Sequence, residues 1–121
     1  MMKFSALILG LAFTLSVNAQ DSKSGDDVVA VCPKNVTVLA ETETVRMIHY
    51  KLKSGQTCGM HRSLPGLGYV ISGATVNITM ADGTKFPFAS KDGQTVNITE
   101  MTNSDEGSRG TLEMIILQYK N

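Results

Sequence analysis

Apolar and polar side chains alternate along this chain in short runs, and a turn signal ends each run. The clearest run covers residues 45–52. There Arg46, Ile48, Tyr50 and Leu52 fall on one face of an extended strand, and Val45, Met47, His49 and Lys51 on the other. Lys53-Ser54-Gly55 breaks it. The same alternation predicts strands at residues 36–40, 68–71, 75–80, 84–88, 95–99 and 112–119. Asp82-Gly83 marks a hairpin, because tight turns need the positive φ that Asp-Gly supplies. Lys91-Asp92-Gly93 marks another turn. No segment has a convincing helical period. Short strands, regular turns and no helix predict an all-β sandwich or barrel of six to eight antiparallel strands.

The N-terminus follows a different pattern. Residues 1–19 combine Lys3, an apolar run over 6–17 and the small-residue end Val17-Asn18-Ala19, which predicts a secretory signal peptide. The run is too short to span a bilayer, and no later run approaches spanning length. The expected location is therefore secreted or periplasmic, with no membrane span. Residues 20–31 are expected to be a flexible lead-in, since most of them are polar, and residues 32–121 a single domain. Without Lys3, ten basic residues stand against eleven acidic ones, a net charge of about −1. The basic residues are scattered singly and form no phosphate-binding stripe, so nucleic acid is not an expected partner.

Two cysteines, Cys32 and Cys58, lie in the exported part. An oxidising compartment favours a Cys32–Cys58 disulfide. Two free buried thiols are the competing arrangement, because spacing does not say whether the Cα atoms meet. A third arrangement makes Cys58-x-x-His61 a metal pair. Strand alternation opposes it, since residues three apart point to opposite faces.

The richest stretch runs from Gly55 through His61 and Ser63 to Gly66, Tyr69 and Gly73. Its Gly, five residues, His spacing and its closing Gly73 resemble the first motif of a cupin barrel. Further segments carry the same resemblance: the Arg-containing strand 45–55, Gly59-Met60-His61, Tyr69-Val70-Ile71-Ser72-Gly73 and the Asp82-Gly83 hairpin. Together they resemble the small single-domain bacterial cupins over most of the chain beyond Cys32. The resemblance implies a cupin-type antiparallel β-barrel, that is, a double-stranded β-helix or jelly roll, often paired into homodimers through edge strands.

The resemblance also implies four metal-ligand positions. In the first motif these are His61, Ser63 where a second His is usual, and Gly66 where a Glu is usual. In the second motif, which opens at Gly93, the His position is Asn103. First-row transition metals prefer imidazoles and carboxylates, so this set points to no cofactor, with a divalent transition metal on His61 as the alternative. His49, the only other histidine, is expected to be a surface or packing residue. Glu100 and Asp105 flank Asn103. Alternation turns Glu100 to the opposite face, and a bulged loop would let Asp105 reach inward. Met60, Met101 and Met114 are gap fillers or the lining of a soft pocket.

His61 has two readings. It projects into the barrel mouth to meet a ligand or a proton, or it fills the space a metal would take and bonds Asn103 or Ser63. No nucleophile–base pair, paired-carboxylate or phosphate-loop pattern is present. Two functions follow. One is a non-enzymatic binding protein that holds a small molecule at His61, Ser63, Tyr69 and Asn103. The other is a metal-dependent cupin enzyme, a dioxygenase, isomerase or lyase, with a reduced ligand set around His61.

Overall fold

The structure is a computed structural model and describes residues 26–120. The expected signal peptide, residues 1–19, lies outside the described residues. One helical turn, α1 (Val28–Val31), precedes nine strands. These are β1 (Val36–Glu41), β2 (Val45–Lys53), β3 (Thr57–Ser63), β4 (Gly66–Ser72), β5 (Thr75–Met80), β6 (Lys85–Ala89), β7 (Thr95–Ile98), β8 (Met101–Arg109) and β9 (Thr111–Tyr119). They form two sheets, in the orders β1-β2-β9-β4-β7 and β3-β8-β5-β6, and every ladder is antiparallel. The all-β barrel expectation holds, with more strands than the alternation predicted.

Two strands escaped the hydropathy pattern. Residues 101–109 of β8 read Met-Thr-Asn-Ser-Asp-Glu-Gly-Ser-Arg, with no apolar alternation to announce a strand. Yet β8 is interior to its sheet, paired with β3 on one side and β5 on the other. Its place comes from two backbone ladders rather than from its own propensity. β3 is hidden for a similar reason: Gly59 and a register irregularity between Cys58 and His61 break its alternation.

On β2 the predicted face is the buried one: Arg46, Ile48, Tyr50 and Leu52 all point inward. Ile48, Tyr50 and Leu52 meet Val70 of β4, Val76 of β5, and Leu112 and Met114 of β9 in the core. Full burial of each such aliphatic chain stabilises the fold by about 1.5–3 kcal/mol. The Asp82-Gly83 hairpin forms as expected. Gly83 takes φ 93°, and the Asp82 carboxylate accepts the Thr84 N–H at 2.9 Å.

The expectation of a flexible lead-in over residues 20–31 is corrected for its last six residues. Val28 is 4 % exposed and belongs to the core. The Asp27 carboxylate takes two hydrogen bonds from the Arg46 guanidinium, at 2.6 and 2.7 Å. Arg46 holds that carboxyl below its ordinary range. The backbone of Asp26 and Asp27 lies along β3, where Arg62 N–H donates to the Asp26 carbonyl at 2.7 Å. A Cys32–Cys58 disulfide pins the end of α1 to β3, with the Cα atoms 5.5 Å apart. The polar composition of residues 20–27 masked Asp27, whose partner Arg46 is buried, and Val28 directly after it joins the core.

Candidate functional site

β3 and β8 pair so that His61 sits opposite Asn103. Ser63 lies two residues past His61 on the same face. Asp105 lies two residues past Asn103 and also points inward, by plain strand alternation and without a bulge at that point. Tyr50 reaches the same place from β2 in the other sheet. The result is one connected polar cluster. Ser63 Oγ donates to Asn103 Oδ1 at 2.9 Å, and Asn103 Nδ2 donates to Asp105 Oδ1 at 2.7 Å. Tyr50 O–H donates to Asp105 Oδ2 at 2.8 Å. His61 is 2 % exposed and Asn103 3 %. His61 Nδ1 lies 2.7 Å from the Gly59 carbonyl; a carbonyl only accepts, so the proton is on Nδ1. Nε2 then faces Asp105 Oδ2 across 4.0 Å, beyond direct hydrogen-bond reach.

Burial dominates the electrostatics here. It pushes the Asp105 carboxyl above the usual carboxylate range, against the opposing pull of the Tyr50 hydroxyl, His61 and the Asn103 amide. It pushes the Tyr50 hydroxyl far above the ordinary phenol range, helped by the Asp105 charge. A folded state that keeps its Asp105 proton while the unfolded chain releases it is most stable at low pH. Its Asp105 contribution therefore falls as pH rises from about 4, the unfolded value, through the folded pKa, and is flat above. Asp27, held low by Arg46, acts in the other window: its contribution is lost as pH falls below the ordinary carboxylate range. The expected result is that the stability difference between wild type and Asp105→Asn shrinks with rising pH above about 4. Urea melts across that range measure it. A difference that is level in pH would contradict the assignment.

The cluster heads an open cavity of about 280 Å³. Its walls are apolar: Val76 and Ile78 of β5, Phe86 and Phe88 of β6, Val96 and Ile98 of β7, with Met101, Leu112, Met114 and Ile116 completing them. Tyr50, Ser63, Asn103 and Asp105 supply the polar end, and Asn97 also borders the cavity. A smaller space of about 60 Å³ shares Tyr50, Ser63, Ile98, Asp105 and Ile116 with it and adds His61, Val28 and Gln118. The repeated Thr-Val-Asn-Ile-Thr segments supply equivalent inward pairs, Val76/Ile78 and Val96/Ile98, to strands in different sheets. Of the methionines singled out, Met101 and Met114 line the cavity, while Met60 is exposed.

Of the four predicted ligand-binding residues, His61, Ser63 and Asn103 come together, and Tyr69 does not. On β4 the inward residues are Gly66, Gly68 and Val70, so Tyr69 points out and is 51 % exposed. The strand's period of two decides this. Sequence reasoning left Tyr50 and Asp105 out of the site. The parity of Asp105 with Asn103 was the available signal for one, and the inward face of β2 for the other. His49 pairs with Glu113 at 2.7 Å on the outer face, as a surface residue should. Glu100 also stays outside, paired with Arg62.

The Cys58-x-x-His61 metal pair is not formed, though not for the expected reason. The irregularity between the two residues brings Cys58 Sγ to 3.5 Å from His61 Nδ1, so they share a face after all. Cys58 is spent in the disulfide.

The residues at the four ligand positions do not fit the usual cupin metal. Gly66 cannot be exchanged for a carboxylate on this backbone, because a Cβ there would overlap the Leu117 carbonyl of β9. Ser63 and Asn103 are bonded to each other. That leaves one imidazole nitrogen and one carboxylate, short of the three protein ligands a catalytic metal typically needs. Among the described residues, no three His, Cys, Asp or Glu side chains converge.

No protein-family model matches the sequence, and no curated protein matches it. Solved structures do match. A cupin domain from Bordetella pertussis superposes with a TM-score of 0.61 at 17 % identity, over 71 % of this chain and 92 % of that one. An RmlC-like cupin family protein with a double-stranded β-helix fold, from Methanocaldococcus jannaschii, gives 0.52 at 22 % identity, over 69 % of this chain and 77 % of that one. A DMSP lyase gives 0.50 at 18 % identity, over 69 % of this chain but only 46 % of its own length. Identities this low establish architecture and leave chemistry to the site itself. The two antiparallel sheets, the apolar bore and these superpositions together give the domain the fold of a small cupin barrel, a double-stranded β-helix.

Proposed function

We propose that this protein is a non-enzymatic binding barrel, which holds a small molecule in the open end of its bore without the usual cupin metal. One observation carries this reading: an apolar cavity of about 280 Å³ ends on a buried, mutually bonded polar cluster. Such a cavity suits a ligand that buries an apolar body and anchors one polar end. Tyr50, Ser63, Asn103 and Asp105, which border that cavity, and His61, which borders the smaller space beside it, are the ligand-facing residues of this proposal. The second reading is a metal-dependent enzyme with a reduced ligand set around His61, and it draws on the fold shared with a DMSP lyase.

Elemental analysis of the protein purified without chelator, beside His61→Ala, tests the choice. The expected outcome is metal far below one ion per chain in both proteins. Near-stoichiometric Fe, Mn, Ni, Cu or Zn in the wild type, lost in the variant, would sink the binding reading and favour the enzyme.

Export is part of the proposal. The leader-like residues 1–19 support it, and so does a disulfide of the kind that persists in oxidising compartments. Homodimerisation rests on the resemblance alone, and sedimentation of the purified protein would test it.

A further inference from the structure

The chemistry of the bore narrows the class of ligand, granted the binding reading above. We propose that the ligand is an uncharged amphiphile: a compact ring-bearing or branched apolar body carrying one hydrogen-bonding head such as a hydroxyl or an amide. The body is placed by Ile78, Phe86 and Phe88 of one sheet and Ile98 of the other, all of which line the cavity. Two phenylalanines on one strand favour a flat ring, since aromatic pairs stack edge-on or offset.

The head is placed by the polar end. Among the described residues, no Lys or Arg lines the 280 Å³ cavity, and Asp105 is its only carboxyl. An anionic head would enter without a counter-charge and beside an acid, which is costly in a buried site. A cationic head fares little better. Both Asp105 oxygens already accept bonds, from Tyr50 and Asn103, and burial favours the uncharged acid. A neutral head has an open partner. His61 Nε2 is buried, 4.0 Å from Asp105 Oδ2, and has no hydrogen bond among the described residues. The space beside it, about 60 Å³, is large enough for a hydroxyl or a bridging water. With the ring proton on Nδ1, Nε2 is an acceptor, and a hydroxyl or an amide N–H can donate to it.

Isothermal titration calorimetry with four probes of one body tests this: 2-naphthol, naphthalene, 2-naphthoate and 2-naphthylmethylammonium. The expected order has 2-naphthol tightest, with each of the other three at least about tenfold weaker, the step that one good hydrogen bond or one unpaired charge would set. Ile98→Trp, or Met101→Trp if the first misfolds, should abolish binding by filling the bore. Leu67→Ser, on the exposed outer face of β4, should leave it unchanged. Ser63→Ala should narrow the gap between naphthol and naphthalene. Naphthoate or the ammonium binding as tightly as naphthol would overturn the uncharged head while leaving a binding barrel. Naphthalene binding equally well would overturn the hydrogen-bonding head. Failure of all four probes would overturn the inference and count against the cavity as a binding site. Loss of binding in Leu67→Ser but not in Ile98→Trp would move the probe to the outer face and overturn it as well.

Discussion

Gly66→Ala is expected to destabilise the barrel by more than about 3 kcal/mol, beyond the usual range for overpacking. The reason is specific. The added Cβ would run into the Leu117 carbonyl, with Leu117 C and Gln118 Cα close behind at 3.0 and 3.1 Å. These are backbone atoms of the strand that β4 pairs with, so no side chain can swing away. Relief requires pulling β4 from β9, and that ladder joins the middle of the five-stranded sheet. Gly55→Ala is the internal control. Gly55 has φ 87° but open space around it, so its substitution should cost only the left-handed strain, about 1–2 kcal/mol. Urea denaturation of the three proteins gives the comparison. A Gly66→Ala protein about as stable as Gly55→Ala would mean that β4 and β9 are less closely paired than described. Gly66→Glu bears on function too. At this position it should unfold the domain rather than supply a metal carboxylate, so the usual ligand set is not one substitution away.

The second large effect is the disulfide. Its removal, by reduction or in a Cys32→Ala/Cys58→Ala double variant, is expected to lower stability by about 3 kcal/mol. The bridge closes a sequence separation of 26 residues, which restrains the unfolded chain strongly. Domains of this size typically have only 5–15 kcal/mol in total, so the loss is a large fraction. The bridge also holds the turn that carries Val28, and Val28 lines the smaller space beside His61. Amide exchange at residues 28–32 should therefore accelerate more than exchange in β2 or β9. Oxidised and reduced melts within about 1 kcal/mol of each other would overturn the assignment of the bridge as a structural staple.

Much of the barrel was legible because its signals are local. Alternation over residues 45–52 named the inward face of β2 correctly, including the charged Arg46, which finds Asp27 and Gln118 there. The Gly93 and Gly83 turns follow from positive φ. The site was only half legible. His61, Ser63 and Asn103 emerged from motif spacing, and that spacing survives because it reflects strand pairing. Tyr50 joins them through Asp105, 55 residues away from it in the chain, and no local pattern announces such a partner. Tyr69 was misplaced because its motif position was followed instead of its parity on β4.

The sequence by itself determined the strands whose apolar residues alternate, the turns, the two cysteines available to pair and the lack of a usual set of metal ligands. Each depends on residue type and on neighbours a few positions away. Tertiary structure alone decided that a polar segment would be the interior strand β8. It brought Cys58 and His61 to one face through a local irregularity, and it left Gly66 no room for a side chain. It also turned the end of a polar lead-in into part of the core. Each of these depends on which strand lies alongside, and a contact between distant residues leaves no periodic trace in either one.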